Sequence, residues 1–215
     1  PLLEKCISVL MNNAMKKNLI FFGILTVLWA CQNDYDHNYG INEPIDCSLW
    51  EYLQSDHYNF DSIVVAVRHA GLETLFEKAD FTFFAITNHS VNQFLFKTVD
   101  DNGERLYQCV GDIPVELCRR MILSYIVPEK FVSTDCDFEI KGELKGGKMV
   151  ETLAGNHLRC FRRTSDYDGA ADKGPESFYI HDQETDRIIY VNGKNFVTTN
   201  GVIHRLSYTL QWVEL

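Results

Sequence analysis

Hydrophobic positions in the first half of the chain recur at intervals of three or four residues, which is typical of one face of a helix. In the helix predicted after Pro114 this spacing runs from Val115 to Tyr125. A separate run, Phe81–Ile86, is apolar, aromatic and short, and it predicts a buried strand. The other predicted helices are residues 48–54, a helix that Asp61 caps and Gly71 ends, residues 72–78, and a helix that Thr87 and Asn88 open.

From Phe131 onward the hydrophobic pattern favours strands and turns. Two dipeptides, Asn192-Gly193 and Asn200-Gly201, favour the positive φ values of tight turns and are predicted to join strands. Because helices dominate the first half and strands the second, the predicted fold class is α+β. Residues 202–212 alternate with a period of two, which predicts a strand with one buried face. The buried face holds Val202, His204, Leu206, Tyr208, Leu210 and Trp212, and the exposed face holds Ile203, Arg205, Ser207, Thr209 and Gln211.

The N-terminal apolar run, Leu19–Ala30, is too short to cross a membrane. As a helix it would span about 18 Å, whereas the hydrocarbon core of a bilayer is about 30 Å thick. Two lysines after Met15 precede the run and Cys31 follows it, which is the order of a secretory signal. The residues LWAC resemble a bacterial lipobox, in which the cysteine is lipidated and becomes the mature N-terminus. Cys31 is therefore the predicted site of lipid attachment, with a plain secretory signal as the alternative.

This processing would divide the chain into four parts. Residues 1–14 are expected to be an upstream or non-native segment, residues 15–30 a lipoprotein signal peptide, residues 31–46 a tether and residues 47–215 one domain. Loss of residues 1–30 removes three lysines and one glutamate, so the formal net charge changes from −10 to −12. An acidic surface argues against nucleic acid as a partner. The predicted location is the cell envelope, with the lipid in the outer membrane and the domain at the surface.

The motifs of common enzyme and metal sites are missing from the sequence. It contains no Cys-x-x-Cys, no His-x-x-x-His, no Gly-x-Ser-x-Gly and no glycine-rich phosphate loop. Aligned on its glycine as a calcium loop, the acidic segment 164–176 has Thr164 and Pro175 where the first and last ligands belong. No catalytic residue, metal or cofactor is predicted, and a solvated loop is favoured for this segment. The alternative is weak cation binding by Asp166, Asp168 and Asp172.

The predicted domain holds an odd number of cysteines. At least one thiol must therefore stay free or pair between chains, although export would permit disulfides. Small apolar core positions are the favoured interpretation for most of them. They are Cys47, Cys109, Cys118, Cys136 and Cys160.

Four segments resemble, in the same order, the motifs of the fasciclin-type domain family. FTFFAITNHSVNQFL resembles the aromatic strand and capped helix of the first motif, and ILSYIVPEKF resembles the central tyrosine segment. TLAGNHLRC and YVNGKNFVTTNGVIHRLSYTL resemble the later strands and the second motif, so the match runs from about Cys47 to Trp212. The resemblance implies a β-sandwich or wedge flanked by several short α-helices, in a family of adhesion and matrix-binding modules. The family-motif residues carried over, in structural roles, are Thr87, Asn88, Tyr125, Asn200, Gly201, Ile203 and His204.

Departures from the family pattern argue against integrin-type recognition. Ile86 stands where the family usually has proline, and Ile126 where a histidine usually follows the central tyrosine. Asn195-Phe196 stands where animal adhesion members can carry Asp-Ile. His204 lies on the predicted apolar face, so a buried, hydrogen-bonded histidine is favoured over a site residue, and the resemblance suggests Asn88 as its partner.

Arg159, Arg162 and Arg163 surround Phe161 and form the candidate binding surface for an acidic glycan, although a solvated strand edge is the favoured interpretation. The predicted function is a lipid-anchored, non-enzymatic binding module of a Gram-negative envelope. Its expected partners are an envelope or host matrix protein, or a glycan. The alternatives are an accessory lipoprotein subunit of an outer-membrane complex, suited to glycan capture, and an enzyme.

Overall fold

The computed structural model describes residues 44–78, 80–210 and 212–213. The predicted signal peptide, most of the tether and Cys31 lie outside these residues. None of the helices in the described ranges is long and apolar enough to cross a membrane. They are α1 (Leu49–Ser55), α2 (His57–His69), α3 (Glu73–Lys78), α4 (Asn88–Lys97) and α5 (Val115–Leu123), with short 3-10 helices at Val110–Asp112 and Ser133–Asp135.

Seven strands form one sheet in the order β2-β1-β9-β8-β7-β6-β5, and β3 pairs with β4 separately. Neighbouring strands are antiparallel except β1 and β9, which are parallel. Helices followed by strands confirm the α+β class. The strands are β1 (Phe81–Ala85), β2 (Ile126–Val127), β3 (Glu139–Ile140), β4 (Lys145–Gly146), β5 (Lys148–Glu151), β6 (His157–Thr164), β7 (Glu176–Asp182), β8 (Arg187–Thr198) and β9 (Gly201–Leu206).

Strand β1 is buried along its whole length, as its apolar run predicts. The ring of Phe76, from α3, packs edge-on against Phe81 and Phe83 at centroid distances of 5.3 and 5.1 Å. The polar residue of the strand, Thr82, is satisfied internally, because its hydroxyl donates to the Glu129 carbonyl at 2.8 Å. Helix α3 therefore covers β1, and β9 lies beside it in the same sheet.

The first helices begin where side chains satisfy their free N–H groups. Ser48 and Glu51 form a capping box at the start of α1. The prediction that Asp61 caps α2 is wrong. Asp56 is the cap, accepting a hydrogen bond from the Asn59 N–H at 3.2 Å, so α2 begins five residues earlier than predicted. Asp61 instead lies within the helix.

The two predicted Asn-Gly turns have different outcomes. Asn200-Gly201 does join β8 to β9, with Thr198 paired to Gly201 across the turn. Asn192-Gly193 does not reverse the chain, because β8 runs through it, with shifts in its register against β9 on either side of Gly193. None of these four residues is among those with positive φ; the positive φ in this region, 65°, belongs to Asn195. An irregular long strand thus replaces the predicted turn.

The predicted final strand is shorter and more deeply buried than its alternation suggests. β9 ends at Leu206, and Tyr208, assigned to the core, is 58% exposed in the turn that follows. Ile203, assigned to the exposed face, is fully buried. Five of the six residues of β9 are buried, so both faces of this strand are covered over most of its length. Alternation of apolar and polar residues does not then mark an exposed face.

Candidate functional site

His204 is buried in the middle of β9 and its ring is held by two backbone groups. The Asn195 N–H donates to Nδ1 at 3.2 Å, and Nε2 lies 3.3 Å from the Phe131 carbonyl. Burial lowers its pKa from 6.5 to about 4, so the ring is neutral. The expected partner, Asn88, is not involved. Three aromatic rings pack around the imidazole at centroid distances of 5.1–5.9 Å: Phe84, Phe131 and Phe178.

Asn195 connects this histidine to a second buried polar residue. Its side-chain oxygen accepts from the Ser133 N–H at 2.7 Å, and its amide nitrogen donates to the Ser133 hydroxyl at 3.0 Å. The positive φ of Asn195 directs its N–H towards His204 while its side chain reaches the 3-10 helix at residues 133–135. The position that departs from the family's Asp-Ile pair is therefore an internal connector rather than a surface contact.

Thr87 and Asn88 perform different structural tasks at the start of α4. Thr87 is the N-cap, as predicted, and accepts from the Ser90 N–H. Asn88 does not cap this helix. Its oxygen accepts from the Ser62 N–H at 2.7 Å, and its nitrogen donates to the carbonyls of His57 and Tyr58 at 2.9 Å each. Asn88 therefore joins α4 to the N-terminal part of α2.

Asn200 makes a similar connection between the β8–β9 turn and the first helices. Its oxygen accepts from the Leu49 N–H at 2.7 Å, and its nitrogen donates to the Phe76 and Glu77 carbonyls. The next position requires glycine, because a Cβ at residue 201 would lie 2.8 Å from the Leu49 side chain and 2.9 Å from the Phe81 carbonyl oxygen. Both residues act by joining segments that lie far apart in the chain.

Tyr125 and Ile203, the remaining motif residues, are fully buried. Tyr125 lies just beyond α5, and its hydroxyl donates to the Val213 carbonyl at 2.9 Å. Burial raises the pKa of this phenol, so it stays protonated. Ile203 pairs with Phe83 across the parallel β1–β9 ladder. Neither side chain is accessible to a ligand in this conformation.

Arg159 is not the solvated strand-edge residue that the sequence favours, because it is only 4% exposed. Its Nη1 donates to the Lys145 carbonyl at 2.9 Å, and its guanidinium lies 4.4 Å from the ring centroid of Phe161. Backbone and ring contacts, and not solvent, surround the charge. The side chain therefore stabilises the β4–β6 region.

The other two candidate arginines form ion pairs within the chain. Arg163 binds the Glu139 carboxylate through two nitrogens, at 2.5 and 2.8 Å, and this lowers the pKa of Glu139. Arg162 pairs with Glu176 at 3.2 Å and donates to the Cys136 carbonyl at 2.7 Å. A cavity of about 270 Å³ lies beside them. Because their charges are compensated, this cluster offers little attraction for an acidic glycan.

The acidic segment folds back on itself and binds a lysine. Lys141 Nζ lies 2.8 Å from Asp172 and 3.3 Å from Asp166, and positive φ values at Asp168, Gly169 and Asp172 shape the turn. Within the described residues no group of three or more His, Cys, Asp or Glu side chains is placed to hold a metal ion. An ammonium group thus occupies the position where a cation would bind two of the aspartates.

The five cysteines of the domain are all free thiols. Cys118, Cys136 and Cys160 are buried, whereas Cys109 is exposed. Burial raises the pKa of Cys118 to about 11, and burial together with a hydrogen bond to Cys136 raises that of Cys160. A raised pKa disfavours the thiolate, so Cys118 and Cys160 are poor nucleophiles.

A larger opening, which we call the α2–α4 groove, has a volume of about 550 Å³. It lies between the first turns of α2 and α4, the irregular part of β8 and the end of β9. Sequence reasoning missed it, since it assigned Tyr208 to the core and Asn192 to a tight turn. Its lining includes Tyr58, His89, Asn92, Asn192, Arg205 and Tyr208.

The chain matches a protein-family model and solved structures. The fasciclin domain model matches residues 58–211. Among solved structures the chain is similar to a FAS1 domain pair from the insect cell adhesion molecule fasciclin I, at 11% identity and a TM-score of 0.43. That match covers 77% of this chain and 46% of the other, so the chain spans just under half of its length. No curated protein matches the chain.

Proposed function

Since the family model covers more than half of it, the chain belongs to the fasciclin domain family, and we propose that it is a lipid-anchored, non-enzymatic binding module of a Gram-negative cell envelope. Domains of this family are often adhesion modules and are typically not enzymes. The module would act in adhesion, through contact with an envelope or host matrix protein or with a glycan.

The observation that supports a binding role is the use of the motif's polar side chains inside the domain. His204, Asn88 and Asn200 each make hydrogen bonds to backbone groups of distant segments. A catalytic group must reach its substrate in a suitable geometry, and these side chains are occupied elsewhere. Recognition would then come from surfaces and loops that a rigid interior holds in place.

A second candidate function is that of an accessory lipoprotein subunit that captures glycan for an outer-membrane complex. The α2–α4 groove favours it, because amide and aromatic side chains line an opening that can hold a small ligand. This alternative keeps the lipid anchor and changes only the partner.

The lipid anchor is tested by changing Cys31 to alanine in the full chain and fractionating the cells. We expect the parent protein in the membrane fraction and C31A in the soluble fraction, because the acyl chains supply the membrane affinity. Cys47→Ser is the matched control and should stay in the membrane fraction. Retention in the membrane of a C31A protein from which residues 1–30 have been removed would contradict the anchor.

The surface location is tested by adding protease to intact cells that carry a tagged protein and a periplasmic marker. Digestion of the tagged domain while the marker stays intact is the expected result. Protection until the outer membrane is opened would overturn the surface-adhesin proposal. It would leave a periplasm-facing component of an envelope complex as the better account.

A further inference from the structure

The α2–α4 groove differs in charge from the rest of the molecule. The chain carries 30 acidic residues against 20 lysines and arginines, yet no aspartate or glutamate is among the described residues that line the groove. Arg205 and His89 are its basic groups. In a protein with this net charge, an opening free of carboxylates and holding an arginine favours an anionic ligand.

The Arg205 side chain lacks the partners that two arginines of β6 have. Arg162 and Arg163 pair with glutamates, whereas the Arg205 guanidinium forms no ion pair or hydrogen bond within residues 44–78, 80–210 and 212–213. Its Nε is buried without a hydrogen-bond partner in that part of the chain. The Phe196 ring lies 6.0 Å from its guanidinium carbon. Because Nε is buried, a ligand in the groove would meet the terminal nitrogens of this unpaired guanidinium, and these can bind a carboxylate.

Two tyrosines expose their rings at the groove. Tyr58, in the first turn of α2, is 90% exposed, and Tyr208, beyond β9, is 58% exposed. The His89 ring meets Tyr208 edge-on at a centroid distance of 6.0 Å, which supports that side of the opening. A tyrosine ring combines an apolar face with a polar hydroxyl, so it can pack against the C–H face of a sugar while remaining hydrated.

Two asparagines supply amide groups at the same opening. Asn92, on α4, and Asn192, on β8, are exposed, and their side chains make no hydrogen bond within the described residues. An amide group both donates and accepts, and it can therefore satisfy a sugar hydroxyl, which does the same. Asn88 also borders the groove, but its side chain is used to join α2 and α4.

From this arrangement we propose that the α2–α4 groove binds an acidic saccharide, a sugar chain that carries carboxylates. Arg205 binds the carboxylate, Asn92 and Asn192 bind hydroxyls, and the rings of Tyr58 and Tyr208 pack against the sugar. This inference rests on the proposed binding function and names its ligand class. The proposed glycan site is therefore not the surface predicted from the arginines of β6, two of which are paired with glutamates, but the groove at Arg205 of β9.

Calorimetric titration of the purified full chain with galacturonic acid oligomers tests this proposal. Sialyllactose is a second carboxylated probe, and the methyl-esterified galacturonate oligomer is its neutral counterpart. We expect saturable binding of at least one carboxylated probe with a Kd below about 1 mM, and at least tenfold weaker binding of the esterified oligomer. Equal binding of the charged and esterified oligomers, or no saturable binding of either carboxylated probe, would overturn the proposal.

Variants locate the site. Arg205→Gln and Tyr58→Ala should each weaken binding at least tenfold. Arg105, which follows α4 and lies 4.8 Å from the ring centroid of Phe96 near the C-terminal end of that helix, is the control, and Arg105→Gln should leave binding unchanged. Tyr58→Ala changes an exposed side chain, so it keeps the test valid if Arg205→Gln folds poorly, and thermal unfolding checks each variant. Equal effects of R205Q and R105Q would overturn the site.

Two further outcomes separate this inference from the proposed function. A short glutamate peptide that binds as tightly as the oligomer, with the same dependence on Arg205, would replace the saccharide by an acidic peptide. If cells bearing the protein adhere to matrix proteins or glycans, and Y58A and R205Q cells adhere equally well, the binding module stands and the groove assignment falls. Absence of both saccharide binding and adhesion in the parent protein would remove both proposals.

Discussion

His204 and Arg205 are consecutive residues of β9, and the structure uses them in opposite ways. The His204 ring is fully buried, and each of its nitrogens lies within hydrogen-bond distance of a backbone group. The Arg205 side chain faces the α2–α4 groove, with donors that are unused in the described part of the chain. Alternation along a strand places the two side chains on opposite faces.

This contrast separates two kinds of polar residue in the same domain. Those that resemble the family motifs join distant segments in the interior, and their removal should cost stability. Those that we assign to saccharide binding in the groove have side-chain groups without hydrogen bonds in the described part of the chain. Their removal should weaken ligand binding and leave stability nearly unchanged. Mutations that distinguish stability from binding therefore test the division directly.

The largest expected effect follows from replacing His204 by alanine. The change leaves a cavity between three aromatic rings and removes the acceptor of the Asn195 N–H, so we expect a loss of about 3 to 4 kcal/mol in the free energy of unfolding. Urea denaturation monitored by circular dichroism measures it. A loss below about 1 kcal/mol would show that the buried network does not support the core.

The neutral state of His204 should also make stability depend on pH. Because burial lowers its pKa from 6.5 to about 4, the unfolded chain binds more protons than the folded chain between these values. Stability therefore falls as the pH is lowered through this window, by about 3 kcal/mol in total. His204→Gln lacks this titration, so its deficit relative to the parent should shrink by that amount between pH 7 and pH 4. A constant deficit would mean that the buried ring is not the titrating group.

Asn88 and Asn92 sharpen the comparison, because both lie on α4 and border the groove. Asn88→Ala removes three hydrogen bonds to α2 and should lower the free energy of unfolding by about 2 kcal/mol. Asn92→Ala changes an exposed amide and should cost less than about 0.5 kcal/mol, while it weakens saccharide binding. Chemical denaturation of the two variants under identical conditions gives the difference. Similar losses in both would break the division between internal and groove residues.

The smallest expected effect is that of Arg205→Gln on stability. Since the guanidinium makes no ion pair within the described residues, its loss should change the free energy of unfolding by less than about 0.5 kcal/mol. The thermal midpoint of R205Q should accordingly stay close to that of the parent protein. A large destabilisation would show that Arg205 supports the fold and would weaken its assignment to binding.

Local rules predicted those features that depend on neighbouring residues. The cap at Thr87, the buried strand at Phe81 and the turn at Asn200 each follow from a few adjacent side chains, and each is present. The cap of α2 was misplaced because Asp56 and Asp61 both suit a helix start, and the choice depends on how α1 ends.

Long-range pairing explains what the sequence did not reveal. Asn192-Gly193 has the composition of a turn, but pairing with β9 extends β8 through it. The partner of His204 is set by the irregular backbone at Asn195, which no local pattern indicates. The groove likewise combines positions from Tyr58 to Tyr208, which only the folded chain brings together.

The position of β9 between β1 and β8 has a consequence for the order of assembly. Gly201 pairs with Phe81, about 120 residues earlier, and the neighbouring Asn200 reaches back to Leu49. Such contacts require a long loop to close before any stabilisation is gained, and proteins dominated by them fold slowly. The first helices and β1 cannot make these contacts until residues 201–206 have left the ribosome. A nascent chain would thus lack the pairing of β1 with β9 until residues 201–206 have been synthesised, and its first helices would until then have only local contacts to hold them.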